Sequence, residues 1–240
     1  MDIINKHHKV SENLQPVIPS AKFEEQITKE NTVLFMHYDA NQIRFAMVSK
    51  RGESFDDTKT PVIEMYNYYF GSGDMSAIVR QEMREARGLA YSAWAMLYEP
   101  SRLDQTYTFQ SYIATQNDKM DEAAQVFQDI INNMPESQNA FDIAKENILS
   151  NLRTQRITKS SVLWNYIDAQ NLGLNYDRNK LIFEKVQDMT LTDVVKFQEE
   201  FIKNRKYTYC ILGDEKTLDF NAMAMYGEIQ RLTLTDIFGY

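Results

Sequence analysis

Residues 84–91 read REARGLAY, a charged helix-like run that meets a glycine and then opens, at a tyrosine, into an aromatic and apolar stretch. Arg84 carries five N–H donors on a planar guanidinium, and Tyr91 carries one phenolic O–H. Each residue alone has an ordinary explanation. A helix bearing Glu82, Arg84, Glu85 and Arg87 commonly presents a solvated face whose ion pairs are worth about 0.2–0.5 kcal/mol each. Tyr91, with Trp94 and Tyr98 after it, reads equally well as a packing residue of an aromatic strand. The pair is more specific than either member. Gly88 closes the helix and the chain turns into a strand near Ala90, which brings the last helical turn close to the first strand residues. Together the two side chains can bind a peptide carbonyl, or the negative oxygen that develops when that carbonyl is attacked. They supply donors, but neither a nucleophile nor a metal.

Little else in the chain looks chemical. A zinc site needs three or four His, Cys or carboxylate ligands aimed at one point, and the histidines are His7, His8 and His37 alone. His7 and His8 are adjacent, so they share neither a helix face nor a strand face. His37 falls in a strand between Met36 and Tyr38 and reads as a structural, partly buried side chain. No metal or other cofactor is therefore expected in this chain. Cys210 is the single cysteine, so no disulfide forms within the chain; it sits in the apolar run YTYCILG, where a buried inert thiol is expected. A thiol enzyme built on Cys210 would need a base that its sequence neighbours do not provide. GSGD at residues 71–74 lacks both the Lys-Ser or Lys-Thr of a phosphate loop and the third glycine of a dinucleotide turn.

Three strand regions must carry these residues. VLFMHY and IRFAMVSK, on either side of Asp39-Ala40-Asn41, read as two neighbouring strands without a two-residue hairpin turn. YSAWAMLYE and TYTFQSYIATQ form an aromatic pair across the turn-like EPSRLDQ, and RKYTYCILGD closes the strand set. Between them lie a short helix after Pro61, and a second helix capped by Asp74 or Ser76 and ended by Gly88. A stripe of Met120, Ala123, Ala124, Phe127, Ile130, Ile131 and Met134 forms a third helix, stopped by Pro135. A long helical region spans about residues 139–171, with Phe141, Ala144, Ile148, Leu149, Leu152 and Ile157 on one side and an irregularity around Thr158–Ser161. Thr192 is the expected cap of DVVKFQEEFIK. The pattern predicts an α+β fold, a single two-layer domain with an antiparallel sheet packed on long helices. Residues 1–21, polar and broken by Pro16 and Pro19, read as a leader or linker ahead of a domain over 22–240.

At 240 residues the chain is long enough for one substantial core. Its 26 basic against 34 acidic residues give a net charge of −8, which favours solubility and argues against general nucleic-acid binding. No stretch approaches the roughly 20 apolar residues of a membrane span. The compartment stays open between cytoplasm and periplasm.

The stretch YNYYFGSGDMSAIVRQEMREARGLAYSAWAMLY resembles the M16 family of zinc metallopeptidases, which includes pitrilysin, insulin-degrading enzyme and the mitochondrial processing peptidases. The shared pattern is a small-residue turn, a helix, Arg-Glu-x-x-Gly-Leu-Ala-Tyr and a strand; here it is Arg84-Glu85-Ala86-Arg87-Gly88-Leu89-Ala90-Tyr91. A weaker likeness runs from about Lys22 to the closing IFGY. The turn departs from the pattern at Asp74, where another small residue is common. The chain has no His-x-x-Glu-His, so the resemblance implies one module of a non-zinc C-terminal half. It also implies that Arg84 and Tyr91 orient a peptide substrate and stabilise the oxyanion. Zinc, water and glutamate base would come from a His-x-x-Glu-His half, either in the same parent chain or a separate subunit. The same fold also serves as a non-catalytic structural or interaction module, and that alternative remains open at this point.

Overall fold

The computed structural model describes residues 2–8, 13–19, 24–72 and 75–240. A short helix, α1 (Asp2–His7), lies in the span read as leader or linker. Next come β1 (Thr32–His37) and β2 (Gln42–Ser49). Helix α2 (Thr60–Tyr66) has proline in its first turn and continues as a π-helical segment over Asn67–Ser72. Helix α3 (Ile78–Arg80) likewise continues as a π-helical segment, Gln81–Glu85. β3 (Ser92–Tyr98) and β4 (Thr108–Gln116) follow, then helices α4 (Met120–Asn132), α5 (Gln138–Thr154), α6 (Lys159–Asn171), α7 (Arg178–Asp188) and α8 (Leu191–Phe197). β5 (Thr208–Gly213), α9 (Phe220–Ala224), β6 (Glu228–Arg231) and α10 (Leu234–Phe238) complete the order.

The strands form one six-stranded sheet in the order β3-β4-β2-β5-β1-β6. Along β2, buried Ile43, Phe45 and Met47 alternate with outward Arg44, Ala46 and Val48. The period of two follows from the pleat, and it gives the sheet one face for the core. Against that face pack Ile63, Met65 and Tyr66 of α2, Tyr69 and Phe70 after it, Phe127 and Ile131 of α4, and Phe141 and Ile148 of α5. The α4 stripe read from the sequence is buried as expected, including Met120, Ala123, Ala124, Ile130 and, just beyond the helix, Met134. Burying one such side chain contributes roughly 1.5–3 kcal/mol. The architecture is α+β, an open sheet with its helical layer on one face.

Several local expectations are corrected. β1 and β2 are not neighbours, because β5 is inserted between them. It runs parallel to β1 and antiparallel to β2, and β6 also runs parallel to β1, so the sheet is mixed with an antiparallel portion over β3-β4-β2-β5. The long helical region divides: α5 ends at Thr154, and Thr158 caps α6 through a reciprocal box with Ser161. Ile157, placed on the apolar side by its spacing, lies in the break and is exposed. The cap of α8 is Thr190, two residues before the expected Thr192, because Asp193 stands three residues after Thr190 and closes a capping box onto it. Asp74 lies outside the described residues, and the N-cap position of α3 is Ala77 rather than Ser76.

The outer edge of β3 is sealed from within the fold. The Asn67 amide nitrogen donates to the Leu97 carbonyl at 3.0 Å, and the Leu97 N–H donates to the Asn67 amide oxygen at 2.9 Å. One side chain thereby replaces a missing strand partner. Four residues on, a methyl at Gly71 would stand 1.8 Å from the Ala95 carbonyl oxygen, so only glycine permits this approach of helical backbone to strand backbone. Asn67→Ala leaves two buried backbone groups unpaired and is expected to destabilise the protein by about 2 kcal/mol. Urea unfolding checks this: the midpoint falls while the slope is unchanged.

Candidate functional site

The junction between α3 and β3 is fixed by backbone hydrogen bonds that the residue types demand. In the π-helical turn the Ala86 N–H reaches the Gln81 carbonyl at 2.8 Å, five residues back. Gly88 then adopts φ +58°, and its N–H donates to the Arg84 carbonyl at 3.0 Å, the single-bond left-handed helix stop. The N–H groups of Leu89 and Ala90 both donate to the Met83 carbonyl, at 2.8 and 3.1 Å. The Thr115 hydroxyl donates to the Leu89 carbonyl at 2.6 Å and pins the loop to β4. Tyr91 donates its N–H to the Ala114 carbonyl at 3.0 Å, although Ala114 is paired in register with Ser92. Two consecutive residues thus face one, a bulge that re-aims the side chain at the start of β3.

These constraints bring the two sequence-predicted residues together. The Arg84 guanidinium carbon lies 5.3 Å from the centroid of the Tyr91 ring, and Tyr91 is 74% exposed. Stacking of an exposed cation on a tyrosine contributes about 0.5–1 kcal/mol. Arg84 Nε is also 3.7 Å from Glu85 Oε1, an oxygen at the same distance from Arg80 Nε. Neither the Tyr91 hydroxyl nor the Arg84 guanidinium makes a hydrogen bond to a described residue, and both side chains are exposed. The arrangement can receive an oxygen with partial or full negative charge. The sequence did not single out Lys119, whose Nζ is 3.4 Å from the Gly88 carbonyl oxygen and adds a cation beside the helix end. Its only signal was a position just after β4, which becomes informative once β4 is known to pair with β3.

Other candidates are placed elsewhere. His37 is exposed at the end of β1, where its Nδ1 accepts the Glu215 N–H at 3.3 Å and lies 3.8 Å from Asp214 Oδ1. His7 and His8 are exposed near α1. Among the described residues no group of three His, Cys, Asp or Glu is arranged to hold a metal ion, so these residues do not fit a zinc centre. Cys210 lies half-buried on β5, and burial pushes its thiol pKa up.

A cavity of about 980 Å³ opens at the other end of β3, between α6 and α7, and neither Arg84 nor Tyr91 lines it. Glu99 there accepts from the Thr60 hydroxyl at 2.6 Å and pairs with Arg178. Glu64, also lining the cavity, has its carboxyl pKa raised by burial and by the nearby Glu99, against the opposing pull of Arg178. The seven residues of β3 separate Tyr91 from Glu99, eight rises or on the order of 26 Å when extended, so the two places are distinct.

An open α+β module with a split-donor junction, and no metal-holding cluster among the described residues, is the class these features define. The chain belongs to the Peptidase M16 inactive domain family, whose model matches residues 1–148. No curated protein matches it. Among solved structures it is similar to a peptidase M16 inactive domain from Pseudomonas fluorescens, with a TM-score of 0.68 and 16% identity over 83% of this chain and 48% of that one. A protease from Helicobacter pylori shares the fold at a TM-score of 0.64 and 15% identity, over 88% of this chain and 51% of that one. A chain of complex III2 from Candida albicans does so at 0.60 and 16%, over 92% and 53%. The chain therefore spans about half the length of these proteins. No helix among the described residues is long and apolar enough to cross a membrane.

Two measurements check this description. Gly88→Ala meets no atom within 4 Å, so it is expected to cost only the left-handed backbone strain, about 1 kcal/mol, read from urea unfolding. A raised thiol pKa means less thiolate at a given pH, so Cys210 should be alkylated by iodoacetamide several-fold more slowly than free cysteine at pH 8, with the rate climbing at higher pH.

Proposed function

We propose that this chain is the non-zinc wall of an M16-type metalloendopeptidase, in which Arg84 and Tyr91 hold the carbonyl of a peptide substrate and stabilise the oxyanion formed from it. The observation that carries the reading is the convergence of guanidinium and phenol at one exposed junction, neither hydrogen-bonded to a described residue. A companion half bearing His-x-x-Glu-His supplies zinc, the attacking water and the general base. This chain's own residues bind and orient. The guanidinium offers planar donors to the carbonyl oxygen, and the phenol adds one more as negative charge grows. Holding those donors on a bulge and a glycine-stopped helix keeps them in place before substrate arrives, which lowers the reorganisation needed during reaction.

A second reading is a non-catalytic structural or interaction module. The fold likeness to a chain of complex III2 favours it, because that protein is part of a larger assembly. The two readings separate in the complete enzyme. The catalytic one expects Arg84→Ala and Tyr91→Phe each to lower kcat by about 10- to 1,000-fold at saturating substrate. Unchanged turnover in both variants removes the catalytic role. The chain alone is expected to take up no stoichiometric zinc in equilibrium dialysis and to leave peptides uncut.

A further inference from the structure

The face of the sheet turned away from the helices carries a second guanidinium next to this junction. Arg44 is exposed on β2, between buried Ile43 and Phe45. Its register partner on β4 is Ala114, which also pairs with Ser92 and accepts the Tyr91 N–H. The start of β3 and Arg44 are thus two strand spacings apart, about 9.6 Å. Ala114 between them is outward-facing in register and only 8% exposed, a small residue flanked by larger side chains including Arg44. On the far side Arg44 faces Leu212 of β5.

Arg44 makes no hydrogen bond, ion pair or ring contact with any described residue. Arg51, Arg178, Arg205 and Arg231 all bond carbonyls or carboxylates. Asp214, two residues beyond Leu212, is held by the Lys216 N–H and lies beside His37. Within a chain of net charge −8, Arg44, Arg84 and Lys119 lie about the Tyr91 junction, where Glu85 is shared between Arg80 and Arg84 and Glu82 is paired with Arg87. One row further along the same face, Trp94 stacks on Tyr112 with ring centroids 6.1 Å apart, and Ala46, Cys210 and Leu34 extend that row across β2, β5 and β1.

Resting on the reading that a peptide is held at Arg84 and Tyr91, we propose that Arg44 is a specificity residue that binds a carboxylate of that peptide. An apolar or aromatic residue of the same peptide lies on the Trp94–Tyr112 platform. The carboxylate is either an acidic side chain or the peptide's C-terminus, since a guanidinium receives both in the same bidentate way. The neutral platform and the local cation excess select against basic segments.

The test uses the full chain and four fluorescein-labelled heptapeptides of one aromatic-containing sequence: internal Glu or Gln, each with a free or amidated C-terminus. Affinity is read by fluorescence anisotropy. The wild-type chain is expected to bind the doubly neutral peptide about tenfold more weakly than the best carboxylate-bearing one, the scale of one charged hydrogen-bonded contact. Arg44→Gln should abolish that difference without changing the neutral peptide's affinity, and Arg44→Lys should restore part of it. The Glu and free-terminus arms then identify the source of the carboxylate. An unchanged preference in a folded Arg44→Gln chain overturns the assignment. If Arg84→Ala and Tyr91→Phe still weaken the neutral peptide in that case, the Arg84–Tyr91 reading survives. Failure of all four peptides to bind overturns both.

Discussion

The approach of the Gly71 backbone to the Ala95 carbonyl, reinforced by Asn67 on Leu97, is the constraint on which the rest of the structure hangs. It welds the segment after α2 to the outer edge of the sheet, where an unpaired strand would otherwise expose a row of donors and acceptors. The chain then has only a short path in which to form α3, stop it and enter β3 from the same side. Arg84 and Tyr91 inherit their relative position from that path. Their contact is weak by itself, and what makes it useful is that helix end and strand start are both held by backbone hydrogen bonds.

The junction departs from regular geometry three times in succession. A π-helical turn, a left-handed glycine and a bulge follow one another between Gln81 and Ser92. Each costs some regular hydrogen bonding, and each is compensated by a specific partner: Gln81, Arg84 and Ala114 carbonyls in turn. Irregularity held by specific backbone partners is how a fold aims side chains without loosening, and it is common beside functional sites.

Much of this was legible in the sequence. The α4 stripe, the β3 and β4 aromatic runs and the role of Gly88 followed from periodicity and one residue's conformational freedom. The pairing of Arg84 with Tyr91 followed from spacing across a helix stop. What was not legible depends on distant partners. No local signal says that residues 208–213 slide between β1 and β2, because the apolar alternation of β1, β2 and β5 suits several orders. The four-residue, largely exposed β6 has no alternation strong enough to announce itself. Thr192 was read as the cap because the three-residue spacing from Thr190 to Asp193 was not weighed, and Arg44 looked like any outward strand residue until register put Ala114 beside it.

The insertion of β5 has a consequence for how the molecule comes into being. β1 and β2 are separated by four residues, yet their shared neighbour arrives more than 150 residues later, so the middle of the sheet stays open until nearly the whole chain has been made. Long-range closure of this kind slows folding and leaves two strand edges uncovered on the ribosome. The segment matched by the family model, ending at residue 148, holds the junction but not the strand that joins its two sides of the sheet. As a nascent chain it is a partial sheet with an unfilled gap, a natural client for chaperones during synthesis.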